Sequence, residues 1–137
     1  MNLSDKKVLV LGLGESGLAA AQWLVRSGAV LRVADTREAP DRLPQLMAAA
    51  PYGEFIGGPF TATLLDGIDV VVVSPGLSEL AELSEIAPVA KERGIPVISG
   101  IEMFVQQGAR QFEIWTGKPA PEAEMMRVVE LELRRRG

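Results

Sequence analysis

Short runs of apolar residues alternate with amphipathic segments along most of the chain, and this alternation predicts the architecture. The apolar runs have the length and the branched side chains of buried strands. They cover residues 8–11, 30–34, 54–56, 70–73 and 96–98. The intervening segments space their apolar residues as helices do, at 17–27, 42–50, 80–93 and 101–107, with a helical turn near 61–67.

Strands that are apolar on both faces and alternate with helices are typical of a parallel sheet covered on both sides. Right-handed crossovers favour a doubly wound α/β sheet with the strand order 3-2-1-4-5. Ligands of such sheets lie beyond the carboxyl ends of the strands, where the first and fourth strands are neighbours. We therefore expect the loop GLGESG at 12–17 to face the loop SPG at 74–76.

The C-terminal segment differs in character from the rest of the chain. Residues 112–116 (FEIWT) are predicted to form a sixth strand, residues 117–121 a proline-broken loop, and residues 122–136 a helix. Residues 1–107 are accordingly the main domain, and residues 108–137 are a strand-loop-helix extension that completes the same domain.

Composition removes several classes of function. The 137 residues carry a formal net charge of −4, which gives no basic field for nucleic acid or an anionic membrane. Cysteine and histidine are both absent, which removes thiol chemistry, the commonest metal ligand and the commonest general base. We expect no catalytic constellation, no metal and no resident cofactor. No run reaches membrane-spanning length, and the cytoplasm is the default location.

The glycine-rich turn is the first chemical signal. Gly12-x-Gly14-x-x-Gly17 stands between a strand and a helix, as the dinucleotide fingerprint requires. One glycine makes the tight turn, one lets the backbone approach a pyrophosphate, and one lets the helix pack close to the strand. Amides around Glu15, Ser16 and Gly17 are expected to point at a diphosphate, with the Ser16 hydroxyl adding a bond. The alternative is a turn that binds nothing.

A second signal follows the second strand. Asp35 stands where the fingerprint places an acid that hydrogen-bonds a ribose or a base, although it could merely cap a turn. With Thr36 and Arg37 it brings a carboxylate, a hydroxyl and a guanidinium to the expected position of a nucleoside. An arginine here would also suit a 2′-phosphate, so NADP stays open. The rigid turn Ser74-Pro75-Gly76 either faces the glycine loop or simply ends a strand.

Together these segments resemble the N-terminal domain of Mur ligases of the MurD type. The resemblance is carried by VLVLGLGESGLAAAQWL, ADTR, VVVSPGL and IPVISGIEMF, which occur in order across residues 5–107. It implies a Rossmann-like sheet that holds the UDP part of UDP-N-acetylmuramoyl-L-alanine. The implied site places the diphosphate at Gly14, Glu15, Ser16 and Gly17, the nucleoside at Asp35, Thr36 and Arg37, and the close turn at Ser74, Pro75 and Gly76.

The chain also departs from that family. Members continue into an ATPase domain and then a domain that receives the amino acid, whereas residues 108–137 do not follow the pattern. The family forms an acyl phosphate from ATP, which the amine of D-glutamate attacks, and nothing in this chain provides either site. The resemblance thus implies a UDP-sugar-binding domain of a peptidoglycan-precursor ligase, inactive alone, whether by truncation, excision or engineering as a chimera.

Two other classes of function stay open at this point. An NAD(P)-binding oxidoreductase or sensor domain would use the same fingerprint with Asp35. A structural module would keep the fold and bind no ligand. The sequence predicts no oligomeric state.

Overall fold

A computed structural model describes residues 3–74, 83–119, 121, 123–128 and 131. Within these residues, strands and helices alternate along the chain. The strands are β1 (Lys7–Leu11), β2 (Val30–Asp35), β3 (Glu54–Gly57), β4 (Val70–Val73) and β5 (Val97–Ser99). The helices are α1 (Glu15–Arg26), α2 (Leu43–Ala49), α3 (Ile86–Glu92) and α4 (Gly100–Thr116), and Ala62–Leu65 form a 3-10 turn.

The sheet has the predicted order, β3-β2-β1-β4-β5, and every adjacent pair of strands is parallel. At the carboxyl end of β1, Leu11 is in register with Ala34 of β2 and with Val73 of β4. The segments that leave these three strands therefore emerge side by side. That edge is where the sequence predicts a ligand.

Two apolar layers cover the central strand on opposite faces. Val8 and Val10 belong to a cluster with Leu24 of α1 and Met103 of α4. Leu9 and Leu11 belong to a second cluster, which includes Ile86 of α3. These four apolar side chains are fully buried, and each contributes about 1.5–3 kcal/mol relative to an exposed position. β1 is thereby fixed from both sides.

Helix α1 begins very close to the strand that precedes it. A side chain at Gly17 would place its Cβ 1.9 Å from the Gly12 carbonyl oxygen and 2.8 Å from Ser74 Oγ. Only a residue without Cβ allows the first turn of α1 to lie against the ends of β1 and β4. The role predicted for the third glycine, close packing of helix on strand, matches this geometry.

The predicted sixth strand at 112–116 is wrong, because these residues form the last turns of α4. The aromatic and branched residues of FEIWT favour a strand when read alone. The helix, however, is capped at both ends: Ser99 Oγ accepts a hydrogen bond from the Glu102 N–H, and Gly117 ends it with φ +68°. Burial of Met103, Val105 and Ala109 holds the segment as one helix.

Two other predicted helices differ from the structure in extent. Of the helix expected over 122–136, residues 123–128 are helical, and most of the remainder lies outside the described residues. Met125 of this helix lies against α4, because its Cε is 2.7 Å from the position of a Cβ at Gly108. Of the helix expected over 80–93, residues 83–85 are a bend and turn, and α3 begins at Ile86.

We expect Gly17→Ala to lower the free energy of unfolding by about 1–3 kcal/mol. The added methyl overlaps the backbone carbonyl of Gly12, which cannot move without shifting the end of β1. Urea denaturation followed by circular dichroism measures the change.

Gly108→Ala is the matched control, since it also adds a methyl group to a helical glycine. Its nearest neighbour is the flexible end of Met125, which can turn aside. The gain in helix propensity should then leave the free energy of unfolding unchanged or raise it by about 0.5–1 kcal/mol. Equal losses in the two variants would contradict the importance of the Gly12–Gly17 approach.

Candidate functional site

The glycine turn (residues 12–17) begins by continuing the β1–β2 pairing for one more residue, and the chain then leaves the sheet. The Gly12 N–H donates to the Ala34 carbonyl at 2.8 Å, and Gly12 has φ +94°, a conformation that favours glycine. The chain then passes the fully buried Leu13 and enters α1 after Gly14. The turn is therefore fixed to β2 on one side and to the helix on the other.

The start of α1 is exposed at this edge of the sheet. The Gly14 carbonyl accepts the first helical hydrogen bond, from the Leu18 N–H at 2.9 Å. The amides of residues 15–17 precede that bond, so they have no acceptor within the helix and carry the positive end of its dipole. A Cβ at Gly14 would meet no atom within 4 Å, so the space beside the turn is open. This geometry suits an anion.

The sequence-predicted residues Glu15 and Ser16 occupy the first turn of α1. Their backbone amides, with that of Gly17, belong to this first turn. Their side chains are outside what the structure describes.

Ser74 connects the end of β4 to the glycine turn. Its N–H donates to the Leu11 carbonyl at 3.0 Å, and its buried hydroxyl donates to the Gly12 carbonyl at 2.7 Å. The predicted meeting of the two loops is confirmed at this residue. The hydroxyl proton is committed to Gly12, which makes Ser74 a support of the turn. Pro75 and Gly76 lie outside the described residues.

Asp35 is buried, with 4% of its surface exposed, and its carboxylate joins two loops. Oδ2 accepts from the Leu13 N–H at 2.8 Å and from Arg37 Nη2 at 2.9 Å. Oδ1 accepts from the Arg37 N–H at 2.8 Å and from Arg37 Nε at 2.9 Å. The contact with Leu13 was missed by the sequence reasoning, because a backbone amide leaves no signal in residue type.

The ion pair is charged at neutral pH. Hydrogen bonding from the Arg37 side chain lowers the pKa of Asp35 to about 2, against the opposing effect of burial. The N–H groups of Leu13 and Arg37 lower this pKa further. The same hydrogen bond raises the pKa of Arg37 above its ordinary value.

Thr36 and Arg37 face outward from this edge. The Arg37 side chain is 57% exposed although it is held by Asp35, and its Nη2 also donates to the Leu13 carbonyl at 3.3 Å. The segment that carries them lies on the end of β3, since a Cβ at Gly57 would be 2.6 Å from Glu38 Cα. The structure thus brings the glycine turn, Ser74, Asp35 and Arg37 into one connected cluster.

An apolar cavity of about 630 Å³ opens at a different place, between α3 and the edge strand β5. It is lined mainly by Val73, Leu83, Ala87, Pro88, Ile95 and Val97. It contains none of the predicted site residues. Its mainly apolar walls contrast with the backbone amides of the glycine turn.

The described residues contain no cluster of three or more acidic side chains arranged to hold a metal ion. Among the helices of that same part of the chain, none combines the length and apolar character needed to cross a membrane. Among its described groups, the site offers backbone amides, the exposed Arg37 guanidinium and the exposed Thr36 hydroxyl.

Comparison with solved structures supports the fold. A pseudomurein peptide ligase type C from Methanothermus fervidus superposes with a TM-score of 0.58 over 74% of this chain and 20% of its own, at 20% identity. The shikimate dehydrogenase from Aquifex aeolicus gives a TM-score of 0.54 over 93% of this chain and 55% of its own, at 22% identity. At these identities the likeness is one of fold alone.

Comparison of sequences is more specific. A UDP-N-acetylmuramoylalanine–D-glutamate ligase from Ralstonia nicotianae is 55% identical over 106 residues, which are 77% of this chain and 21% of that protein. The ligase of the same name from Burkholderia mallei is 57% identical over 101 residues, 72% of this chain and 20% of that protein. The chain spans about a fifth of the length of these curated relatives.

Two family models divide the chain between them. Residues 100–130 match the shikimate 5′-dehydrogenase C-terminal domain, a segment that corresponds to α4 and the helix after it. Residues 6–99 match the Mur ligase MurD-like N-terminal domain, and they contain the whole sheet and every predicted site residue. The chain therefore belongs to the Mur ligase MurD-like N-terminal domain family.

Proposed function

We propose that this chain is a UDP-sugar-binding domain and that its ligand is UDP-N-acetylmuramoyl-L-alanine. The observation that carries the proposal is that the N-terminus of α1 and the Arg37 side chain lie at the same carboxyl edge of the sheet. The first offers amides to a diphosphate, and the second offers a guanidinium to a nucleoside. Membership of the MurD-like family and its named relatives support the choice of ligand.

The diphosphate is proposed to lie against the amides of residues 15–17. These amides and the dipole of the 12-residue helix favour negative charge at this point. Gly14 lets a phosphate approach the backbone, because the space that its side chain would fill is open. The buried Gly12–Ser74 hydrogen bond keeps the turn in place before the ligand arrives.

The nucleoside is proposed to lie against Thr36 and Arg37. Both residues are exposed beside the glycine turn, and the Asp35–Leu13 hydrogen bond fixes their loop relative to that turn. A ligand whose diphosphate rests on α1 then meets these side chains within the same molecule.

Residues 1–137 are proposed to bind the substrate without ligating it. The relatives named as ligases are much longer, and the segment that matches this chain is about a fifth of each. Residues 1–137 by themselves offer a ligand only the contacts of this one domain, so their affinity should be weak. With a UDP-sugar as ligand, a cytoplasmic location is part of the same proposal.

A dinucleotide is the second candidate ligand, favoured by two observations. Residues 100–130 match a dehydrogenase C-terminal domain. In addition, Arg37 neutralises Asp35, so the acid that would repel a 2′-phosphate is already paired. NADPH is accordingly a better candidate than NADH.

Titration of the labelled protein separates these candidates. We expect UDP to shift the backbone ¹⁵N–¹H resonances of Gly14 and Gly17 and the Nε–H resonance of Arg37, with weak affinity. Parallel titrations use UDP-N-acetylmuramoyl-L-alanine, NADPH and NADH. Shifts of these resonances at lower concentrations of NADPH than of UDP would favour the second candidate. If none of these resonances shifts in any of the four titrations, the result would favour a structural module that binds no ligand.

We expect Gly14→Ala to weaken UDP binding by about tenfold, or about 1.4 kcal/mol. Gly14 has φ −98° and open space around it, so alanine fits the free protein, and the free energy of unfolding should change by less than about 0.5 kcal/mol. The methyl group would instead occupy the space proposed for a phosphate. Calorimetric titration with UDP measures the loss.

Gly53→Ala is the matched control for the Gly14 variant. Gly53 precedes β3 and therefore lies at the opposite end of the parallel sheet. Its substitution should leave the UDP affinity unchanged. An unaltered affinity in the Gly14 variant would contradict the proposed position of the diphosphate.

A further inference from the structure

We propose that the open edge of β5 binds an extended peptide segment of another protein as a sixth strand, and that this segment carries apolar side chains and a carboxylate. A sheet with the order 3-2-1-4-5 can extend beyond its fifth strand, and the residues predicted for a sixth strand belong to α4 instead. The edge of β5 and the cavity beside it contain no residue of the proposed UDP site. Peptide binding there does not depend on the proposed function.

β5 leaves backbone hydrogen-bonding groups open at its outer edge. The Val71 N–H donates to the Pro96 carbonyl at 2.9 Å, and Val71 is in register with Val97. In a parallel pair, this arrangement turns the backbone groups of the residues on either side of Val97 toward β4. The N–H and carbonyl of Val97 and the N–H of Ser99 therefore face away from the sheet. Among the described residues, no strand lies on that side of β5.

The apolar cavity of about 630 Å³ lies beside the same edge. Val97, which is 43% exposed, lines it on one side, and the exposed residues Ala87 and Pro88 of α3 line it on the other. α3 packs on the core with different residues, Ile86 and Ala90. A strand paired with β5 would point alternate side chains to the same face as Val97, and so into the cavity. Strand addition of this kind uses backbone hydrogen bonds for affinity and pockets for specificity.

Lys91 distinguishes one kind of occupant from another. It lines the cavity, is exposed, and forms no ion pair with a carboxylate of the described residues. A peptide that carries a carboxylate is attracted to this ammonium group. A second copy of the chain is disfavoured, because two β5 strands paired across a two-fold axis would bring both Lys91 side chains to one junction. The open edge, the cavity and the cation together favour an apolar, acidic segment of another protein.

Titration with synthetic peptides tests the proposal in the full chain. The probes are the capped heptapeptides KVTVTDK and KDTVTVK, which place two valines and an aspartate on one face of a strand in its two possible directions. We expect at least one of them to shift the backbone ¹⁵N–¹H resonances of Val97 and Ser99 in a saturable manner, with weak affinity. The absence of such shifts with both peptides up to millimolar concentration would overturn the proposal. Shifts of the same resonances with protein concentration alone would indicate self-pairing and would also overturn it.

Two altered peptides separate strand addition from simple filling of the cavity. N-methylation of the three central amides removes backbone donors and should abolish the shifts. Replacement of both valines by serine keeps the backbone intact and should weaken binding by about tenfold, because burial of apolar surface is lost. Equal binding of the methylated peptide would overturn strand addition and would indicate a cavity for small apolar molecules.

Charge reversal beside the cavity tests the choice of an acidic partner. Lys91→Glu should weaken binding of the aspartate peptide by about threefold to tenfold, and should favour the same peptide with lysine in place of aspartate. Lys118→Glu is the matched control, because it makes the same charge change after α4, which packs on the opposite face of the sheet from α3. It should change neither affinity, and circular dichroism checks that both variants fold. Equal effects of the two variants would overturn the choice of an acidic partner.

Discussion

The carboxyl edge of the sheet depends on the close approach of α1 to the end of β1. The Gly12 carbonyl accepts the Ser74 hydroxyl at 2.7 Å and lies where any Cβ at position 17 would have to be. One backbone oxygen thereby brings together β1, β4 and the start of α1. Interiors are packed densely enough that this arrangement cannot relax by small shifts. The first turn of α1 is therefore held in a fixed position against the ends of β1 and β4.

A second hydrogen-bond network, formed by Leu13, Asp35 and Arg37, fixes the loop after β2 relative to the glycine turn. Asp35 links the end of β2 to Leu13 in the glycine turn, and it holds Arg37 through two hydrogen bonds to the side chain. The buried charge is tolerated because each carboxylate oxygen is hydrogen-bonded and the guanidinium neutralises it. Amides for an anion and a guanidinium for an acceptor are thus separated by a fixed piece of backbone.

Much of the fold could be predicted from the sequence, because the spacing of apolar residues, together with the glycines and prolines that end each run, locates the strands. Val70–Val73 was predicted with the observed bounds, and the strand order followed from handedness alone. The role of Asp35 could not be predicted, since its partners are a backbone amide and a residue two positions away. The prediction of a sixth strand at FEIWT was wrong for a different reason. The local preference of these residues for a strand is outweighed by the helix caps at Ser99 and Gly117, which lie outside the run.

The two family models meet between Ser99 and Gly100, at the boundary between β5 and α4. A helix that covers a sheet needs an apolar face more than a particular sequence, and α4 supplies Met103, Val105 and Ala109. None of the atoms in the Gly12–Ser74 bond or in the Leu13–Asp35–Arg37 network belongs to that helix. The segment that matches a dehydrogenase can therefore complete the core without contributing to either hydrogen-bond network at the carboxyl edge of the sheet. Both core clusters lie mainly within residues 6–99, and α4 adds its buried Met103 side chain to one of them.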